Sequence, residues 1–176
     1  MSAGSALVMG AVIVWLVFFV FAFHLLFIDD KVNEADPFVG ASPSATSLGA
    51  TTPEAASGAA QETHRGSFVD RSHPSSGVAT ITTDDTRTFL RFEDLRTDNG
   101  PDLFVYLSAG VTATAPSGEL DDDFVDLGKL KGNIGSQNYE VPSGTDLAKY
   151  KTVVIWCRRF ATAFGASDLT ATAVRS

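Results

Sequence analysis

Leu7 to Ile28 is a run of 22 residues whose one ionisable side chain is His24, and it contains Val12-Ile13-Val14-Trp15-Leu16-Val17-Phe18-Phe19. A stretch apolar on every side has no face to turn to water. At ~1.5 Å per residue it would span about 33 Å as a helix, enough for the core of a bilayer. The run predicts a transmembrane helix within an anchor over residues 1–32. A cleaved signal peptide fits less well, because its apolar part is usually ~7–15 residues behind a basic start. Met1-Ser2-Ala3-Gly4-Ser5 carries no basic residue, and Ala22-Phe23-His24 is a poor cleavage site. His24 lies within one turn of the expected helix end, where a polar side chain reaches the interface rather than serving as a ligand.

Orientation rests on few charges. No Lys or Arg precedes the run and only Lys31 closely follows it, so no basic cluster holds the C-terminal side in the cytoplasm. The expected topology is single-pass in the cell membrane, with the C-terminal domain extracytoplasmic.

Residues 33–65 change to Ala, Ser, Thr, Gly and Pro, as in Ala41-Ser42-Pro43-Ser44-Ala45-Thr46. Such residues bury too little apolar surface to offset the entropy of ordering them, and no helical or strand period persists. The reading is a disordered, flexible linker that holds a domain clear of the headgroups. Residues 66–176 then look like one compact domain. Val78-Ala79-Thr80-Ile81-Thr82, Phe89-Leu90-Arg91-Phe92, Leu103-Phe104-Val105-Tyr106-Leu107, Val125-Asp126-Leu127, Gln137 to Val141, Thr152 to Cys157 and Phe160 to Phe164 are strand candidates, separated by Gly, Pro, Asn and Asp. About eight short strands predict a mainly β fold, an antiparallel β-sandwich or barrel. Thr145 to Tyr150 is the one helical hint, a single turn.

The chain carries 13 basic and 21 acidic residues, a net charge of −8. Nucleic-acid binding needs clustered cations to displace counterions, so that class is set aside. One cysteine, Cys157, closes the apolar run Val153-Val154-Ile155-Trp156 and precedes Arg158 and Arg159. A lone thiol forms no intrachain disulfide, which leaves packing, redox chemistry, ligation or a bond to another chain. The adjacent cations favour a thiolate, the form that attacks and ligates; against this, free cysteine is commonly a small buried hydrophobe.

The order of local motifs says more than any one of them. Gly66-Ser67-Phe68 is followed by His73, Ser76-Gly77-Val78-Ala79, Asn99-Gly100-Pro101-Asp102-Leu103, Asp126-Leu127-Gly128-Lys129-Leu130-Lys131-Gly132-Asn133 and Gly135 to Pro142, and then by Trp156-Cys157, Phe160 and Phe164-Gly165-Ala166. This series resembles the DM-thirteen domain, a family proposed to take part in electron transfer, over about Gly66 to Leu169. The resemblance implies a small β-rich module whose characteristic cysteine, here Cys157, acts as a bare redox thiol or holds a prosthetic group such as haem. The haem-binding domains that accompany it elsewhere are absent from this sequence, so any redox partner protein is a separate chain.

The glycines of these motifs read as turn residues, with Gly100 expected at positive φ. Lys129 and Lys131 read as solvated residues at a strand end, and Tyr106, Tyr139 and Trp156 as core aromatics with a polar tip. His73 is the one imidazole placed to join Cys157 at a haem if folding brings them together. Four Cys or His ligands for structural zinc are lacking, and no Cys-x-x-Cys-His attachment motif occurs. Glu119-Leu120-Asp121-Asp122-Asp123 lacks the spacing and central glycine of a calcium loop, so no metal site is expected there. Nor does any third orienting residue support a thiol hydrolase.

Two readings remain. One is a membrane-anchored redox accessory module centred on Cys157, with Arg158 or Arg159 tuning its thiolate and Cys157 and His73 as candidate cofactor ligands. The other is a non-enzymatic interaction or structural domain displayed on a membrane tether, with Cys157 packed in its core. Both point to a redox accessory or binding module rather than to a stand-alone enzyme.

Overall fold

The computed structural model describes residues 29–38, 60–110 and 112–172, together with Trp15. Eleven strands lie in these residues: β1 Lys31–Asn33, β2 Gln61–Ser67, β3 Val69–Asp70, β4 Ser75–Thr83, β5 Thr88–Thr97, β6 Leu103–Ser108, β7 Phe124–Lys129, β8 Ile134–Val141, β9 Thr152–Cys157, β10 Thr162–Asp168 and β11 Thr170–Ala171. They form a six-stranded sheet in the order β1-β8-β5-β4-β2-β11 and a five-stranded sheet in the order β3-β10-β9-β6-β7. All pairings are antiparallel except that of β1 with β8.

Alternation along the strands builds one core between the sheets. Ala79, Ile81, Leu90, Phe92, Tyr139 and Val141 come from the larger sheet, and Leu103, Val105, Leu107, Val153, Ile155 and Cys157 from the smaller. Within β5 the register shifts between Phe92 and Leu95, with Asp94 at φ 50°. That bulge returns Leu95, fully buried, to the core face.

β6 and β9 are buried along their whole length, although only alternate residues face the shared core. The others, Phe104, Tyr106, Val154 and Trp156, form a second cluster with Ala113, and Ala115, Leu120 and Phe124 pack against it. The β6–β7 connection therefore lies over the outer face of the smaller sheet. Arg71 fastens it by donating to the carbonyls of Thr112, at 3.2 Å, and Pro116. Ala163 N donates to Ser117 O at 2.7 Å, and Ala113 N to the Asp168 carboxylate at 2.9 Å. The acidic stretch in this connection also turns to its own domain, since Asp123 accepts from Lys149 Nζ at 2.7 Å and from the Tyr150 hydroxyl at 2.6 Å.

Several expectations are revised. Eleven strands replace about eight, because three of them are only two or three residues long. Thr145 to Tyr150 makes no more than the single hydrogen-bonded turn expected, Tyr150 N to Asp146 O at 2.8 Å. Phe160 sits in the β9–β10 turn rather than in a strand, and β10 begins at Thr162. Strand residues also occupy the margins of the expected anchor and linker, at Lys31–Asn33 and Gln61–Ser67. The expected membrane run at 7–28, but for Trp15, and linker residues 39–59 lie outside the described residues. Among the described residues no helix is long and apolar enough to cross a membrane.

Candidate functional site

Strand register gathers the chemistry-bearing residues at one end of the domain. Cys157 is opposite Leu103 on β6 and Thr162 on β10, and the same end holds the close of β7 at Lys129. A cleft of about 140 Å³ opens there, lined by residues that include Asp30, Asn99, Gly100, Leu103, Lys129 and Asn133. Leu103 is both a wall of the cleft and a member of the core that encloses the thiol. Directly opposed residues of an antiparallel pair are about 4.5–5.5 Å apart, so Cys157 lies one side chain beneath the cleft.

The thiol itself is sealed, at 0% exposure. Its sequence neighbour does not reach it. Cys157 faces the shared core with Val153 and Ile155, whereas the Arg158 guanidinium lies 3.3 Å from the centroid of the Phe104 ring, in the cluster on the other face of the sheet. There its Nε donates to the Tyr106 hydroxyl and its Nη2 to the Asp126 carboxylate. Tuning of a thiolate by Arg158 is thus not supported by this geometry: adjacency in the chain became opposition across the strand. Arg159 is exposed in the following turn.

His73 stacks on Phe164, with ring centroids 3.7 Å apart, and its Nδ1 is 2.8 Å from the Asp98 carboxylate. Phe164 belongs to the core cluster of Cys157, but no hydrogen bond joins the imidazole to the thiol. The Phe164 ring also explains Gly100. A Cβ there would stand 2.9 Å from two atoms of that ring, and the expected positive φ does not occur. Gly100 is needed for room. Gly128 and Gly135 do have positive φ, at 101° and 110°.

A buried polar network closes the other side of the cleft. Asn133, 1% exposed, donates to Asp29 Oδ1 and to Thr97 O, both at 2.9 Å, and accepts from Asp30 N at 2.7 Å. Gln137 is fully buried and accepts from the Tyr139 hydroxyl at 2.6 Å and from Lys131 N at 3.1 Å. Burial pushes the Tyr139 phenol far above its ordinary range, so it stays neutral and serves as a fixed donor. Lys131 is not simply solvated, because its ammonium meets both carboxylate oxygens of Glu34 at 2.8 and 2.9 Å.

A haem held by Cys157 and His73 does not fit this packing. The sulfur has no open face, and the cleft above it is well below the ~300 Å³ at the small end of ligand pockets. No group of three or more His, Cys, Asp or Glu able to hold a metal ion occurs among the described residues.

Fold and site together define an all-β, two-sheet domain with a single sealed thiol beneath a polar cleft. The chain belongs to the DM13 family, described as electron transfer DM13, whose model matches residues 67–169. No curated protein and no solved structure gives a match.

Sequence reasoning singled out Cys157 and His73 but missed Asn133, Gln137 and the Asp29-Asp30 pair. A buried Asn or Gln looks like a turn residue until the strands around it are placed. The only signal in the sequence was Gly132-Asn133-Ile134-Gly135, whose two glycines make space for something to approach.

Proposed function

We propose that this chain is a membrane-anchored, extracytoplasmic electron-transfer accessory module, held by residues 7–28, in which Cys157 is the redox-responsive group and a separate protein supplies or accepts the electron. The observation that carries this reading is that Cys157, matched to the family's characteristic cysteine, lies one side chain below a cleft built from the other matched motifs. Asn99-Gly100-Pro101-Asp102-Leu103 and Lys129 to Asn133 converge on it.

A second reading, an interaction domain in which Cys157 is merely packed, is favoured by the complete burial of the thiol and by the turn of Arg158 to the opposite face. The two differ in how the purified full-length protein behaves. Its redox response is followed by protein-film voltammetry as well as by absorption, and its thiol labelling is compared before and after unfolding, in the native chain and in Cys157→Ala. A redox response in the native chain that vanishes in a folded Cys157→Ala supports the electron-transfer role. A colourless, redox-silent protein, labelled only on unfolding and unchanged by the substitution, establishes the interaction domain instead.

A further inference from the structure

Asp29, the first residue after the apolar run, is already fixed to the domain. Its carboxylate accepts from the buried Asn133, Asp30 N donates to Asn133 Oδ1, and Ile134 N donates to Asp30 O at 3.2 Å. β1 then runs parallel to β8 with Lys31 opposite Ile134. The groove that receives it is made by two glycines: a Cβ on Gly132 would stand 2.5 Å from Asp30 O, and one on Gly135 would stand 1.8 Å from Val32 O. Asp30 lines the cleft. Two peptide links of ~3.8 Å separate it from Ile28, so the apolar run joins the domain at the cleft with no spacer.

The same end carries a feature suited to a bilayer surface. The turn between β9 and β10 presents Phe160 at 61% exposure, directly preceded by the exposed Arg159, while Arg158 is turned away to Phe104 and Asp126. Lys129, with a side chain 73% exposed and 3.7 Å from the Asp102 carboxylate, stands at the end of β7 nearby in the register. An exposed aromatic beside an exposed arginine matches the interfacial layer, where the ring enters the acyl boundary and the guanidinium meets phosphates.

We infer that the Cys157 end of the domain is a membrane-facing surface, with Phe160 seated in the lipid interface and the cleft opening toward the headgroups. The inference rests on the membrane anchor of the proposed function. It also narrows the partner: a protein that exchanges electrons with this end approaches along the same membrane, not from bulk solution.

The test uses the full-length chain in phosphatidylcholine vesicles. Phe160→Trp places a fluorophore at the turn, and Ser143→Trp places one at the opposite end of the fold, where Val141 pairs with Thr88. Both sites are exposed, so both substitutions leave the core intact. Lipid brominated near the headgroups is expected to quench most of the emission added at position 160 and to leave that added at 143 unchanged. Lipid brominated near the chain ends reports Trp15 in every variant, read as the quenching lost in Trp15→Phe so that the buried Trp156 does not contribute. Quenching of Trp15 with equal, weak quenching at 160 and 143 overturns the orientation while keeping the anchor. Absence of Trp15 quenching overturns the anchor and the orientation with it.

Discussion

Cys157 and Arg158 show how little chain adjacency says about contact in a strand. Successive side chains of β9 point to opposite faces, so the thiol entered the shared core and the guanidinium settled over Phe104 and beside Tyr106. The sequence identified the residue types but not the faces, because a strand buried on both sides shows no alternation from which to read them. Trp156 is buried, as expected of a core aromatic, but in the second cluster on the outer face, and the sequence did not show which face that would be. It follows that Arg158→Ala is expected to leave the labelling rate of Cys157 in the folded protein unchanged, with only a small loss of stability from the exposed pair with Asp126. Faster or slower labelling, at unchanged circular dichroism, would mean that the cation acts on the thiol after all.

At the scale of elements, most of the strands in the core were legible, whereas the seven-residue β2 was missed because Gln61 to Arg65 was read as the end of the linker. β4, β5, β6, β8 and β9 each contain a candidate segment read from apolar and β-branched residues between turn signals. β1 was not, because Asp29-Asp30-Lys31-Val32-Asn33-Glu34 has no periodicity of its own. Its place is made by Gly132, Asn133 and Gly135, about a hundred residues later in the chain, and composition carries no trace of such pairing. Glu34 completes the docking through Lys131 and through Asn138 N, which donates to its carboxylate at 2.7 Å. Burial alone would raise the Glu34 carboxyl, but the Lys131 ammonium and the Asn138 amide outweigh it and hold it below its ordinary value. A lowered folded value means that this contribution is present above the unfolded carboxyl range and is lost as pH falls through the folded one. The protection of the β1 amides, taken relative to the intrinsic exchange rate at each pH, is therefore expected to fall below the ordinary glutamate range while that of β5 and β9 holds. Glu34→Gln should exchange quickly at neutral pH and lose that dependence. An unchanged pH profile in Glu34→Gln would assign the acid sensitivity elsewhere.

Asn133 is a sharper probe of the same element, since its amide is buried and bound on both sides. Asn133→Ala strands Asp30 N, Asp29 and the Thr97 carbonyl in part-buried surroundings, an expected loss of about 1–3 kcal/mol in chemical denaturation. A variant as stable as the parent would show that water replaces the amide at no cost and that β1 does not depend on it.

For the whole molecule, the docking of β1 changes what the Ala/Ser/Thr/Pro-rich stretch connects. Read from composition, residues 33–65 were a tether between membrane and domain. In the fold, β1 and β2 are both in the larger sheet, so the stretch joins two of its strands: β1 is an edge strand next to β8, and β2 is flanked by β4 and β11. The two arrangements respond differently to a single cut. The small-residue composition of 39–59 makes it a preferred protease site, whichever arrangement holds. Cutting a tether frees the domain at once. Cutting a connection between paired strands leaves β1, still continuous with the apolar run, bound to β8 through backbone pairing and the contacts of Asn133 and Glu34. Protease added to intact cells is thus expected to cleave the chain between residues 39 and 59 without releasing the domain, which should remain in the membrane fraction until mild denaturant breaks the β1 pairing. Gly135→Ala, whose Cβ would collide with Val32 O, should convert the same cut into immediate release. Release of the parent domain by cleavage alone would restore the tether, and protection of the chain until the membrane is opened would place the domain on the cytoplasmic side.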